Sequence, residues 1–132
     1  MAHANERLVR RLYAAFAHAD MEGVLAECTD DVVFSIPGMN KVAGTYRGRE
    51  GFLTEFLPAL AAVADMQTFE EDIDALACDD DHGVILTTQR FRRQDGQPVT
   101  FRSAVVLRFR DGKLSEFSER PGNQEEYDRA WS

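Results

Sequence analysis

The sequence predicts an α+β fold in which N-terminal helices cover one face of a curved, mostly antiparallel sheet. Two observations carry this prediction: one-sided helical patterns fill the N-terminal half, and four strand-like stretches without helical periodicity follow them. The chain has 132 residues, 44% hydrophobic and 29% charged, with no long Gly, Ser or Pro tract. This length and composition predict one compact domain over residues 1–132.

Three helices are predicted ahead of the main sheet. Residues 5–18 carry apolar side chains at three- and four-residue steps, which is typical of a one-sided helix. Asp20 is placed to cap a short helix over residues 21–28, which residues 29–31 close. A third amphipathic stripe covers residues 49–63, and Pro58 inside it should kink the helix or end its first segment, because proline has no N–H to donate.

The strands are bounded by turn signals. A short strand over residues 32–36 stops at Pro37-Gly38. The later strand-like stretches are residues 66–78, 83–93, 98–110 and 113–120. The last segment, residues 123–131, is predicted as a short helix or a tail that is anchored through Tyr127 and Trp131.

The first hairpin sets which side chains of two strands share a face. Asp95-Gly96 is a strong signal for a two-residue turn. Such a turn pairs Arg90 with Phe101 and Thr88 with Ser103, which places all four side chains on one face of the sheet.

Two registers compete at the second hairpin, around Asp111-Gly112. A two-residue turn would place Arg110 opposite Lys113, which are like charges. A turn with a glycine bulge instead places Arg108 opposite Glu116, so the bulged register is the one predicted.

The bulged register defines an inner and an outer sheet face. The apolar face should meet the helices, and it carries Phe101, Ser103, Val105, Leu107, Phe109 and Phe117, with Phe109 opposite Ser115. Glu119 lies on the same face, opposite Val105. The outer face is mixed and suits water or a second subunit; it carries Arg102, Ala104, Val106, Arg108, Glu116 and Ser118.

Charge and composition exclude several classes of partner. The net charge of −8 argues against nucleic acid and anionic membranes, which need clustered Lys and Arg. Two cysteines are too few for a disulfide framework, and the three histidines are scattered, so neither a structural metal nor a cofactor is expected. Without a membrane-length apolar run or a signal-peptide pattern, the prediction is a cytoplasmic protein whose partner is a small apolar organic molecule.

Three segments carry a resemblance to a known family: LVRRLYAAFAHADMEGVLAECTDDVVFSIPG, AGTYRGREGFLTEF and FRSAVVLRFRDGKLSEFSE. In this order and spacing they resemble the nuclear transport factor 2-like superfamily, and within it the SnoaL-like and ketosteroid-isomerase-like proteins. The resemblance implies a cone-shaped α+β barrel with a blind pocket, and commonly a homodimer formed through the outer sheet face.

The resemblance also locates positions where related enzymes carry catalytic groups. The isomerases have a general-base Asp where Ile36 stands here, an oxyanion-hole Asp near Val105 and a helix-one Tyr near Leu12, with Tyr13 one step away. Steroid isomerisation by that mechanism is therefore not expected. The SnoaL-like cyclases have an acid/base Asp on the last strand where Glu119 stands here.

Glu119 is thus the first catalytic candidate. A carboxyl group that faces an apolar cavity is desolvated, which raises its pKa and suits it to general acid/base work near neutral pH. The alternative is an ion pair with Arg90, which the predicted register turns to the same face. Tyr13 or Arg90 would stabilise the negative charge that develops during the reaction.

The candidate pocket combines the inner-face residues with the family positions. Its predicted lining is Leu12, Phe16, Phe34, Ile36, Tyr46, Phe52, Phe56, Thr88, Phe101, Ser103, Val105, Leu107 and Phe117. Several of these are simply core, and Tyr13 and Tyr46 alternatively satisfy a backbone group. Along residues 71–74, Glu71 and Ile73 alternate with Asp72 and Asp74, so one of these two sets is expected to point inward. The favoured interpretation is that the acidic residues lie on a solvated face.

Two hypotheses of function follow. The first is a cofactor-independent isomerase, cyclase, dehydratase or hydrolase that acts on a small apolar molecule bearing a carbonyl or hydroxyl group. The second is a non-catalytic ligand-binding or protein-interaction module of the same fold.

Overall fold

A computed structural model describes residues 2–132, in which helices pack against a six-stranded, mostly antiparallel sheet. The helices are α1 (Ala4–Ala17), α2 (Met21–Ala26), α3 (Gly48–Gly51), a π-helix (Phe52–Phe56), α4 (Leu57–Val63) and α5 (Gln124–Ala130). The strands are β1 (Cys28–Ile36), β2 (Gly44–Arg47), β3 (Ala64–Cys78), β4 (His82–Arg93), β5 (Pro98–Arg110) and β6 (Lys113–Pro121). The predicted α+β class is confirmed.

The sheet order is β2-β1-β6-β5-β4-β3, so β2 and β3 form the two edges. Strands β1 and β6 run parallel, and every other neighbouring pair is antiparallel. The first strand therefore lies beside the last, while α1 packs against β3 and α2 packs against β1. Within residues 2–132, no helix is both long and apolar enough to cross a membrane.

The first two helices begin as the sequence predicts. At the start of α1, His3 accepts a hydrogen bond from the Asn5 backbone N–H, and Glu6 accepts one from the His3 backbone. Asp20 caps α2 by accepting from the Gly23 N–H at 2.9 Å. The predicted end of α2 is wrong, because the helix stops at Ala26 and residues 29–31 belong to β1.

The predicted third helix is divided at the position of its proline. In the π-helix, the Leu57 N–H donates to the carbonyl of Phe52, five residues back, and Pro58 then lies in the first turn of α4, where no N–H is needed. The wider turn buries both Phe52 and Phe56. Pro58 thus ends one helical segment, as expected, and begins the next.

The predicted register of the first hairpin is wrong by one residue. The Gly96 N–H donates to the Arg93 carbonyl at 2.9 Å, and the Arg93 N–H donates to the Gln97 carbonyl at 2.8 Å. Residues 94–96 therefore form a three-residue loop, closed by Gly96 at φ +91°. A shift of one residue reverses every side chain of a strand between the two faces.

The second hairpin reaches the predicted register by a different route. Asp111 and Gly112 both have positive φ, at 54° and 76°, so the turn has two residues and Arg110 does pair with Lys113. The extra residue is Ser115, which forms a bulge in β6 shortly after the turn.

Beyond this bulge the predicted pairs are confirmed. Leu107 lies opposite Phe117, and Val105 lies opposite Glu119. Only Phe109 departs from the prediction, because it pairs with Leu114 instead of Ser115.

The C-terminal helix α5 closes one end of the core. Asn123 caps it by accepting from the Glu126 N–H at 3.0 Å. The indole of Trp131 packs on Phe91 with 4.5 Å between ring centroids, and Tyr127 is also buried. The predicted anchoring through Tyr127 and Trp131 is confirmed.

Candidate functional site

A mostly apolar cavity lies between the helices and the inner sheet face, with a volume of about 70 Å³. One buried water needs about 10–15 Å³ on the same measure, so the cavity has room for a small organic group. Its lining is Leu12, Tyr13, Phe16, Val24, Phe34, Ile36, Phe52, Phe56, Leu60, Phe69, Glu71, Gln89, Phe117, Glu119, Tyr127 and Trp131.

The structure brings about half of the predicted lining together. The predicted residues at this cavity are Leu12, Phe16, Phe34, Ile36, Phe52, Phe56 and Phe117, together with Tyr13 and Glu119. Those that lie elsewhere are Tyr46, Thr88, Phe101, Ser103, Val105 and Leu107. Val105 and Leu107 are fully buried core residues behind the cavity.

Three of the displaced residues have ordinary structural contacts. The Tyr46 hydroxyl donates to the Val42 carbonyl at 2.8 Å, which is the backbone-satisfying alternative. Phe101 packs edge-on against Tyr127 at 5.2 Å, beneath the cavity floor. Ser103 does not reach the cavity surface, but it contacts Glu119 directly.

Arg90 and Thr88 are placed wrongly by the predicted register. Because the first hairpin loop has three residues, both side chains point to the outer face. Arg90 there donates to Asp72 at 2.9 Å, and Thr88 donates to Asp74 at 2.6 Å. Neither the ion pair with Glu119 nor charge stabilisation by Arg90 is compatible with this orientation.

Glu119 is the carboxylate that β6 delivers to the cavity, and it is only 5% exposed. The Ser103 hydroxyl donates to its Oε2 at 2.6 Å, and the Gln89 amide donates to its Oε1 at 3.3 Å. Burial raises the pKa of Glu119 to about 7, although these two donors act in the opposite direction. The two donors also fix the orientation of the carboxyl group.

Glu71 is a second cavity acid that the sequence interpretation missed. It lies on β3 opposite Gln89, and its Oε2 atom is inaccessible and lacks a hydrogen-bond partner among residues 2–132. Burial, followed by the charge of Glu119, raises the pKa of Glu71 to about 8. Strand alternation offered the signal: Glu71 turns inward while its two acidic neighbours, Glu70 and Asp72, turn to the outer face and bind Arg90.

Two hydrogen-bond donors at the cavity are unused. The Tyr13 hydroxyl on α1 and the Trp131 Nε1 atom after α5 are buried, and neither has a partner within the described residues. Burial raises the pKa of Tyr13 well above 10, and the charges of Glu71 and Glu119 add to the shift. The phenol therefore stays protonated and able to donate. Buried donors without partners are unusual in folded proteins, and a bound polar atom would satisfy them.

The cavity thus combines a pair of carboxyl groups with neutral hydrogen-bond donors. Burial raises the pKa of both carboxyl groups, so the pair binds protons at a higher pH than exposed carboxyl groups do. Across residues 2–132, no three His, Cys, Asp or Glu side chains come together as a metal-binding group.

Comparisons with known proteins give the family. The profile of the SnoaL-like domain matches residues 9–117. An uncharacterised protein of Mycobacterium tuberculosis is 30% identical over 113 residues, covering 85% of this chain and 84% of that protein. An NTF2-like protein of unknown function from Burkholderia pseudomallei has a TM-score of 0.87 at 24% identity, with 98% of each chain covered.

A third similar structure is that of TerC, co-crystallised with polyporic acid. It has a TM-score of 0.85 at 22% identity and covers 98% of this chain and 100% of its own. Such identities establish the shared NTF2-like fold, and the profile match extends over most of the chain. The chain belongs to the family of SnoaL-like domain proteins.

Proposed function

We propose that the cavity binds a small, largely apolar organic molecule with a carbonyl or hydroxyl group. In this proposal Glu119 is the general acid/base that transfers a proton from one position of the molecule to another. The observation that carries this proposal is the pair of carboxyl groups that line one apolar cavity, Glu119 buried and Glu71 half-buried. Groups whose pKa values are brought near neutrality by burial are those that proton-transfer catalysis requires. The co-crystallisation of the similar TerC with polyporic acid is compatible with an organic ligand here.

The division of roles follows from hydrogen bonding. Glu119 accepts hydrogen bonds from Ser103 and Gln89, which favour its ionised form, so it is the carboxylate that removes a proton. Glu71 has a buried Oε2 atom without a partner, which favours its neutral form, so it holds the proton that is returned. The Tyr13 hydroxyl donates to an oxygen that gains negative charge. This cycle matches an isomerisation, cyclisation or dehydration.

Glu119→Gln should abolish most proton transfer while leaving the cavity intact. The probe is exchange of the hydrogens next to the carbonyl of cyclohexanone and δ-valerolactone in D₂O, followed by NMR. A lost general base costs about 10²–10⁴-fold in rate. Glu116→Gln is the matched control, because Glu116 lies on the same strand but on the outer face, and it should leave the rate unchanged.

Two outcomes would count against this proposal. Equal exchange by native protein and Glu119→Gln would remove Glu119 from the reaction. Molecules that raise the melting temperature of the native protein but undergo no exchange would favour the binding module.

The outer face suits a second copy of the chain. It exposes Val84, Leu86 and Val106 at 46%, 50% and 37% on adjacent strands, among charged residues of both signs. A homodimer through this face predicts a mass of twice 14.9 kDa by light scattering. Leu86→Arg should return the mass to that of one chain, while Met39→Arg, at an exposed position outside the sheet, should not. A native monomer at every concentration would contradict the dimer.

A further inference from the structure

The cavity contains acids without any basic partner. Among the described residues that line it, two are carboxylic acids and none is Lys, Arg or His. We propose that the cavity selects small alkylated organic cations, such as a trimethylammonium group, over neutral and anionic molecules of the same shape. This inference rests on the proposed function only for the location of the site, and it names the charge class of the ligand.

Hydrogen bonding leaves one oxygen atom of the carboxyl pair without a partner. Glu119 has Ser103 and Gln89, whereas the Oε2 atom of Glu71 is buried and has no partner among residues 2–132. A carboxylate with a buried, unpartnered oxygen and no countercharge is costly, so the native cavity compensates with a proton. A cation would replace that proton as countercharge, while an anion would add a third negative charge beside the pair.

Aromatic side chains form much of the remaining wall. Nine of them line the cavity, and those from α1, β3 and the C-terminal segment are Tyr13, Phe16, Phe69, Tyr127 and Trp131. Ring faces attract cations, and Trp does so most strongly. Alkylated ammonium groups suit such walls, since they are weakly hydrated and pack well against apolar surfaces. Small metal cations would need several oxygen ligands that these walls do not provide.

The arrangement couples cation binding to protons. The titratable groups that face the carboxyl pair are Tyr13 from α1 and Tyr127 from α5, and burial raises the pKa of both phenols, so they stay neutral. The remaining neighbours of Glu119, Gln89 on β4 and Ser103 on β5, do not titrate. A bound monocation should therefore displace up to about one proton from the pair below pH 7. Its affinity should rise between pH 6 and 9.

Three probes of nearly the same shape test the charge preference by isothermal titration calorimetry at pH 8. They are choline, the neutral 3,3-dimethylbutan-1-ol and the anionic 3,3-dimethylbutanoate. The expected affinity for choline is at least about tenfold above that for the alcohol, with no measurable binding of the anion. Repeating the titration at pH 6.5 in buffers of different ionisation enthalpy should show proton release with choline only.

Matched variants assign the preference to the pair. Glu71→Gln with Glu119→Gln should bring choline and the alcohol to equal affinity, and Glu70→Gln with Glu116→Gln, both on the outer face, should preserve the native preference. Equal or tighter binding of the alcohol by native protein, or no binding of choline at millimolar concentration, would overturn the inference. Because these readouts need no turnover, a negative proton-exchange result for the proposed function would leave them valid.

Discussion

Replacing both Glu71 and Glu119 with glutamine should stabilise the protein at pH 9 by about 2–5 kcal/mol. The folded-state pKa values of these carboxyls, about 8 and about 7, lie above the ordinary value of 4.5. The folded state therefore binds more protons than the unfolded state between about pH 4.5 and 8. Native stability should fall as pH rises through this window, because two buried groups become charged, whereas glutamine stays neutral.

The measurement is urea denaturation of native and double-variant protein at pH 5, 7 and 9. The stability difference should be near zero at pH 5 and should grow with pH. Glu70→Gln with Glu116→Gln is the matched control: it removes two acids from the same strands, but from exposed positions, so its effect should not change in this way. A difference that is independent of pH would mean that the two cavity carboxyls are hydrated.

Trp131→Ala should destabilise the protein by about 3–5 kcal/mol, the usual cost of removing a large buried aromatic side chain. Trp131 is 1% exposed, stacks on Phe91 and forms part of the cavity wall. Its backbone carbonyl also accepts a hydrogen bond from the Lys41 N–H at 3.0 Å. The indole therefore attaches the C-terminal segment to the sheet.

Trp131 is the one tryptophan of the chain, so unfolding should be followed by far-ultraviolet circular dichroism instead of fluorescence. Trp131→Phe keeps an aromatic ring and should lose a smaller part of the stability. Met39→Ala, at a position that is 91% exposed, should change it by less than about 0.5 kcal/mol. A loss below about 1 kcal/mol for Trp131→Ala would show that the C-terminal helix contributes little to the folded state.

The fold was predictable because its signals are local and repeated. The apolar spacing of α1, the cap at Asp20 and the strand limits at Pro98 and Arg110 each depend on nearby residues. Glu119 was predictable because its face depends on strand alternation and on its pairing with Val105. The structure keeps that pair although Arg110 does lie opposite Lys113 and the bulge falls at Ser115.

The wrong placement of Arg90 and Thr88 follows from a single turn. Asp-Gly fits both a two-residue turn and the end of a three-residue loop with glycine in the left-handed region, and residues 94–96 adopt the second. That ambiguity exchanged Gln89 and Thr87 for Arg90 and Thr88 at the inner face. Glu71 was missed because a charge facing apolar walls is unfavourable unless the site uses it, and composition alone does not reveal such a use.

Strand β3, with fifteen residues, is an edge strand of the sheet, and it carries acidic side chains along its length. Long unprotected borders invite strand-to-strand polymerisation between molecules. This edge strand carries Glu70, Asp72 and Asp74 on its outer face and Glu71 on its inner face. Its pairing with β4 is irregular between residues 65 and 70 and again between residues 73 and 75. An incoming strand would meet the carboxylates of Glu70, Asp72 and Asp74 on the outer face, so these acids help to keep the molecules from joining into fibres.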